Sequence, residues 1–340
     1  MAEAAQTLPA RSWEDELDRA AAILADAPRV ALACHVNPDP DALGSMLALA
    51  MTLSARGADV VCSWGNEPMV RPRWLELLGG PSFLVEAKDV PPAPEVMVAL
   101  DTASPDRLGR LAANLGRAAT SIVVDHHRTN PGFGSVLVLD PAASSTAELV
   151  FRLIERMGAE LSPAAAACLY AGLITDTGRF QYSATTPATL RAAAALRELG
   201  FDHAALARGL YEDGSFGYLQ VMGVALDRVA LDADAGIVWT YLTQADIAAA
   251  GVTMAETDDL IDVIRTAREA DVAGVLKQQS DGRFKVSLRS RGGTDVGAIA
   301  AAFGGGGHRL AAGYTAKGAL DETVTELRAA LVAQRGEATA

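Results

Sequence analysis

Residues 35–41 read His35-Val36-Asn37-Pro38-Asp39-Pro40-Asp41, placing an imidazole and two carboxylates within one short segment. Such donors suit a divalent metal ion, and the two prolines hold the backbone extended and help to fix where Asp39 and Asp41 point. Further along stand an isolated Asp101, the triplet Asp125-His126-His127 and Asp176, the last followed by Thr177-Gly178. Carboxylates crowded into a low-dielectric site repel one another unless cations lie between them. The chemistry open to such a set is metal-assisted hydrolysis, in which two ions ~3.5–4 Å apart share a water, lower its pKa and hold it in line with a phosphorus atom. Singly, each residue has an ordinary explanation: an aspartate after a strand is usually an N-cap, and a buried histidine is usually hydrogen-bonded in the core. Their joint occurrence at the ends of predicted strands is what points to a metal or phosphate site. His203, in Phe201-Asp202-His203, reads simply as the start of a helix.

The elements that must position these groups follow from hydrophobic periodicity. Short β-branched runs at 29–34, 59–64, 96–100, 121–124 and 136–139 read as strands, and Ala/Leu-rich stretches at 41–56, 145–157, 163–175 and 187–199 read as helices. Ser144 and Ser145 before Glu148, and Ser162 before Pro163, are helix-start signals. This alternation predicts an α/β protein whose N-terminal domain has a largely parallel sheet flanked by helices. His35, Asp101 and the Asp125 triplet each follow a strand, so they fall on the carboxyl edge, where open parallel sheets bind ligands. Asp176 closes a helix. Beyond residue 212 the pattern changes: strands at 236–242, 272–279 and 283–290 and helices at 243–250, 257–268, 295–303 and 321–335 predict a smaller C-terminal α/β domain. The expected division is 1–215, a helical connector at 216–231, and 232–340.

Composition bounds what such a protein does. Of 340 residues, 50% are hydrophobic and 21% charged, which excludes bulk disorder. The apolar stretch at 41–56 is interrupted by Gly44 and flanked by charge, short of the ~18 residues that a membrane span needs. The polar, acidic start MAEAAQTLPARSWEDELD lacks the pattern of a secretory leader, so a soluble, cytoplasmic protein is expected. Cys34, Cys62 and Cys168 are too widely spaced for a zinc ribbon or a disulfide framework. A net charge of −13 argues against coating long nucleic acid, whose footprint is a basic surface. Within 277–309, however, Lys277, Arg283, Lys285, Arg289, Arg291 and Arg309 outnumber Asp281 and Asp295.

Taken in order, His35-x-x-x-Asp39-x-Asp41, Asp101, Asp125-His126-His127 and Asp176 resemble the four motifs of the DHH phosphoesterase superfamily. Gly304-Gly305-Gly306-Gly307-His308 with Ala311-Ala312-Gly313 resembles the signature of the DHH-associated C-terminal domain, and the match spans roughly residues 29–315. Asp101-Thr102-Ala103, the stretch from Thr175 to Phe180 and the Gly-rich His motif are most similar to the NrnA-type enzymes. These are bifunctional nanoRNases (oligoribonucleases) and phosphatases of 3'-phosphoadenosine 5'-phosphate (pAp), with relatives that cleave cyclic di-AMP and pApA. One departure is Pro40, which stands where the family commonly has glycine.

The resemblance implies that His35 and Asp39 bind one metal ion, that Asp41, His126 and Asp176 bind the other, and that Asp101 bridges both. A donor set without thiolate favours Mn²⁺, or Mg²⁺ less well, with Co²⁺ or Zn²⁺ as substitutes in vitro. The shared hydroxide is the expected nucleophile. His127 is expected to contact the phosphoryl oxygen or to act as general acid, with Asp125 orienting His126 or His127. A four-glycine run would ordinarily read as a linker; here Gly305, Gly306 and Gly307 are expected to bring backbone N–H groups to phosphate, with His308 and Arg289 gripping a terminal phosphate or base. The substrates implied are short RNA, pApA and pAp, with cyclic di-AMP as a further candidate; neither long duplexes nor membranes are expected as partners, and a homodimer is a candidate assembly.

Rival readings are weaker. A manganese-type inorganic pyrophosphatase shares the first four motifs but not the Gly-rich His motif, and a RecJ-like single-strand exonuclease needs a further nucleic-acid-binding module. Asp101-Thr102-Ala103 and Asp176-Thr177-Gly178 look like aspartic-protease loops, yet those sit in β-rich lobes and leave the histidines unexplained. A nucleotide receptor on a decayed DHH scaffold is expected to have lost a ligand, and none of the six is missing.

Overall fold

The computed structural model describes residues 12–338, without the side chains of residues 308, 337 and 338. Of the N-terminal stretch read for a leader, residues 1–11 lie outside the described residues. The chain divides into two compact units, the first ending at Glu212 and the second beginning at Asp213.

In the first unit α1 (Trp13–Asp26) leads into β1 (Arg29–Cys34), α2 (Pro40–Ala55), β2 (Asp59–Trp64), β3 (Val96–Leu100), α3 (Ala112–Arg117), β4 (Thr120–Asp125) and β5 (Val136–Leu139). Four helices follow: α4 (Thr146–Arg156), α5 (Pro163–Asp176), α6 (Pro187–Glu198) and α7 (His203–Tyr211). The five strands form one parallel sheet in the order β2-β1-β3-β4-β5. Every residue of β3 is buried, as a parallel sheet covered on both faces requires. Leu32, Cys34, Val98, Leu100, Ile122 and Val124 face the core shared with α1, α2, α4 and α5. Ala31, Ala33, Met97, Ala99 and Val123 face Leu108, Leu111 and Leu115 on the other side.

Helix α2 is buried around most of its circumference, including Leu43, Met46, Leu47 and Ala50, because α5 covers what the sheet does not. Gly44 marks the crossing: a Cβ there would lie 2.3 Å from the Cys168 carbonyl oxygen of α5. The cap signals operate as expected, with Ser145 accepting from the Glu148 N–H and Ser162 from the Ala165 N–H, both at 3.1 Å. No helix among the described residues is long and apolar enough to cross a membrane.

The second unit contains α8 (Phe216–Asp227), β6 (Ala230–Asp232), β7 (Ile237–Leu242), α9 (Gln244–Ala250), α10 (Leu260–Ile264), β8 (Val272–Gln278), β9 (Phe284–Ser290), α11 (Val296–Ala302), β10 (Gly306–His308), β11 (Ala311–Thr315) and α12 (Leu320–Ala338). Its six-stranded sheet has the order β10-β11-β9-β8-β7-β6, parallel only between β7 and β8. Sequence periodicity identifies three of these strands. Strands β6 and β10 have three residues each, and β11 carries glycine and two alanines, so none shows a readable alternation. The helix expected over 257–268 is instead a 3₁₀ turn (Ala255–Thr257) followed by α10. A side-chain bond competes with the helix there, Thr257 Oγ1 donating to the Met254 carbonyl. Val221 and Ala225 of α8, within the expected connector, are buried in the core of this second unit.

Candidate metal centre

The strand order passes from β1 to β2 on one side and to β3 on the other, so the chain switches direction between β1 and β3. Crevices at the carboxyl ends of such strands are the ligand sites of open α/β sheets. His35 follows β1 directly, Asp101 follows β3, and Asp125 is the last residue of β4. Registers Cys34↔Leu100 and Leu100↔Val124 bring these three ends level. Asp176 arrives as the last residue of α5 and Asp41 from the first turn of α2.

Their donor atoms converge. His35, Asp39 and Asp101 offer atoms all within 4.8 Å of one another, and so do Asp41, His126 and Asp176; Asp101 also groups with His126 and His127. Asp101 stands between the groups: Oδ2 lies 3.4 Å from His35 Nε2, while Oδ1 lies 3.6 Å from His126 Nε2 and accepts from Thr146 Oγ1 at 3.0 Å. Asp176 Oδ2 is 3.1 Å from His126 Nε2. The other nitrogen of His35 donates to the Val36 carbonyl at 2.9 Å, which turns Nε2 toward the carboxylates. Asp101 holds a left-handed backbone, φ 54°, a conformation that costs a non-glycine residue energy and that clusters at functional sites.

Asp41 is fully buried, and its two oxygens accept the Thr146 and Ala147 N–H groups at 2.7 and 2.8 Å. The N-terminus of α4 therefore stabilises this anion. Pro40, the departure from the family pattern, occupies the first turn of α2, where no backbone N–H is required; Asp39 is the N-cap and accepts from the Ala42 N–H at 3.0 Å. Asp125, also fully buried, accepts from His127 Nδ1 and from Asn130 Nδ2, both at 2.7 Å, so between the two candidates it is His127 that it orients.

Burial first, then the neighbouring Asp101 and Asp176, push Asp41 well above the usual carboxylate range, and burial likewise raises Asp176. For Asp101 the upward push of burial is outweighed by His35, His126 and His127, which hold it below that range. Burial would depress the imidazoles, but their carboxylate neighbours outweigh it and raise His35 and His126 each to about 10. Burial pushes the adjacent Cys34 thiol upward, and its side chain packs in the hydrophobic core. Five carboxylates here face three imidazoles, and among the described residues no Lys or Arg pairs with them. Nitrogen and oxygen donors around surplus buried negative charge fit divalent cations, whose binding displaces protons from the imidazoles.

Several contributors escape sequence reading. Thr146 and Asn130 are recognisable only from what they touch. Gly172 sits inside an apolar helix, and a Cβ there would lie 2.5 Å from Asp41 Oδ1 and 2.7 Å from Ala147 Cβ; an isolated helical glycine is its only sequence signal.

In the second unit, registers His308↔Ala311 and Ala311↔Arg289 place the three residues in one row across β10, β11 and β9. The His308 side chain lies outside the described residues. Arg289 is half-buried and donates to the Leu288 carbonyl at 3.1 Å. Gly305 and Gly307 have a packing reason, since a Cβ on either would strike the backbone of β11, whereas Gly306 faces open space. The run is thus part of a hairpin. The basic stretch does not form one surface: Lys277 is buried against Asp258 and Thr257, and Arg283 pairs with Asp281 at the turn between β8 and β9.

A family model described as "DHH family, N-terminal domain" matches residues 29–173, and one described as "DHHA1 domain" matches residues 236–334. The chain is 36% identical over 309 residues to the bifunctional oligoribonuclease and PAP phosphatase NrnA of Thermus thermophilus, covering 91% of this chain and 90% of that protein. It is 32% identical to a probable enzyme of the same name from Streptococcus mutans, covering 82% and 86%. The crystal structure of an exopolyphosphatase-related protein from Bacteroides fragilis matches with a TM-score of 0.88 and 26% identity, covering 94% of this chain and 96% of that one.

Proposed function

This chain belongs to the DHH family of phosphoesterases and is a hydrolase; from that premise we propose that it hydrolyses short oligoribonucleotides and small nucleotides, pApA and pAp among them, to mononucleotides in the cytoplasm, using two divalent metal ions. Cyclic di-AMP is a further candidate substrate. The observation that carries the reading is the pair of donor groups, His35-Asp39-Asp101 and Asp41-His126-Asp176, linked through Asp101. Residues 1–215 are assigned to catalysis and 232–340 to substrate binding.

His35 and Asp39 would hold one ion, Asp41, His126 and Asp176 the other, and Asp101 both, with Mn²⁺ the favoured metal and Mg²⁺ or Co²⁺ as substitutes. When bound, such ions supply Lewis acidity and a water of lowered pKa. The protein's own groups do the rest. Asp125 accepts from His127 Nδ1, and in the protonated ring Nε2–H would donate to a phosphoryl oxygen or give its proton to the leaving oxygen. Asn130 anchors Asp125, and Thr146 anchors Asp101, so both carboxylates are fixed before substrate arrives. Arg289, Gly305, Gly306, Gly307 and His308 would bind the phosphate or base from the C-terminal domain.

The test is a panel. Purified protein with Mn²⁺ is incubated with pAp, pApA, cyclic di-AMP, short RNA, pyrophosphate and a long single strand, and products are resolved by chromatography. Preferential release of mononucleotides from the small nucleotides and short RNA is expected. Pyrophosphate or the long strand consumed as fast as pApA overturns the reading.

A further inference from the structure

The segment immediately after Asp176 is more strongly constrained than a helix end requires. Gly178, Arg179 and Phe180 all have left-handed backbones, with φ of 55°, 62° and 66°, and two of the three carry side chains that disfavour it. Thr177 pins the turn, donating from Oγ1 to the Leu173 carbonyl at 2.6 Å and accepting the Phe180 N–H at 3.1 Å. The Arg179 N–H donates to the Ile174 carbonyl at 2.7 Å. The ring of Tyr182 fills the space where a Gly178 Cβ would stand. Phe180 is anchored edge-on against Tyr170 of α5.

What this turn presents is Arg179. Its guanidinium lies 3.9 Å over the ring of Tyr211, the last residue of α7. The residue is exposed, and among the described residues it has no carboxylate or hydrogen-bonding side-chain partner. A guanidinium stacked on one face keeps its in-plane N–H donors available, and a planar fork of donors matches the oxygens of a phosphate. It stands three residues along the chain from Asp176, one of a cluster of carboxylates that would otherwise repel an anionic substrate.

We propose that Arg179, held by Tyr211, binds a phosphate group of the substrate other than the one being cleaved, and so favours nucleotides that carry a terminal phosphate. The proposal rests on the phosphoesterase reading above. Substrate then meets a positive charge carried on the turn that follows the candidate ligand Asp176, and that turn and the Tyr211 ring keep the charge in place before binding.

The experiment compares pApA with ApA, the same dinucleotide without its 5'-phosphate, on the full chain with Mn²⁺. Arg179→Gln is expected to raise KM for pApA about tenfold or more with kcat little changed, and to leave ApA unaffected. Arg179→Lys should recover part of the loss. Tyr211→Phe, which keeps the stacking ring, should behave as wild type, and Tyr211→Leu should fall between. Equal losses on both substrates, or an unchanged KM for pApA, overturn the proposal. Should the wild-type protein cleave neither dinucleotide, the functional reading has failed. The subsite is then judged by equilibrium binding of AMP against adenosine: preference for AMP that disappears in Arg179→Gln supports it, and equal affinities overturn it.

Discussion

The two sheets of this protein gather functional residues in opposite ways. In the parallel sheet, crossover connections return every strand in the same direction, so residues from 35 to 176 meet at one edge although the sequence separates them widely. In the mixed sheet, the β10–β11 hairpin doubles back at once and β11 then pairs antiparallel with β9 across the intervening α11, so Arg289, Ala311 and His308 come into register from within residues 289–311. The first edge buries its charge: Asp41, Asp101 and Asp125 are all but inaccessible. The second leaves Arg289 half-exposed and one of its glycines open. A site of buried carboxylates has few tolerable alternatives, because each oxygen needs a partner, whereas a half-solvated edge can lose a contact to water.

If that contrast holds, the largest effect belongs to the carboxylate shared by both donor groups. Asp101→Ala should lower turnover by about a thousandfold or more and reduce bound metal in parallel, measured by kinetics and metal analysis on the same preparation. Substantial activity in that variant would contradict the site. Chelation of the wild-type protein should likewise abolish turnover, with Mn²⁺ restoring it and raising the thermal midpoint.

Next comes the helix crossing behind the site. Gly172→Ala drives a methyl group onto Asp41 and Ala147, and overpacking of this kind costs about 1–3 kcal/mol. Weaker metal affinity should accompany the loss, because the carboxylate must move; denaturant unfolding and metal titration report the two separately. In the mixed sheet, Arg289→Ala should raise KM for pApA about tenfold while metal content stays unchanged. A metal loss there would erase the contrast between the two edges.

The smallest effect tests the second unit's own framework. Arg228 forms a forked pair with Asp246 at 2.6 and 2.9 Å, and Thr243 caps the same carboxylate. Arg228 first, and then the Thr243 groups, lower Asp246 from its ordinary value of 3.8 to about 2. A depressed carboxyl stabilises the fold fully above its unfolded value, and that contribution is lost as pH falls through about 2. Asp246→Asn should therefore cost about 1 kcal/mol at neutral pH, with the gap to wild type closing toward pH 2, as followed by thermal unfolding.

Much of the first unit is legible in advance because parallel strands buried on both faces are short continuous apolar runs: β1, β2, β3 and β5 have the limits their runs suggest, and β4 extends one residue further at each end. Proline and serine at helix starts are equally readable, and α4, α5 and α6 begin within a residue of their signals. The mixed sheet is less legible because β6, β10 and β11 are short or built from small residues, and its pairing partners supply the order that composition does not. The helix predicted over 257–268 is broken into a 3₁₀ turn and the short α10, a division that its local residue pattern does not announce.

The amino-acid order alone determined which residues could carry chemistry, which strands and helices precede them, and the α/β class, since residue type, periodicity and cap signals are local properties. Only the tertiary structure decided that Asp101 lies between two donor groups, that the N-terminus of α4 receives Asp41, that His127 rather than His126 is held by Asp125, and that Gly172 leaves room for a carboxylate. Those facts depend on distances between segments far apart in the chain, and such distances are set by how helices and sheet pack, which no local pattern encodes.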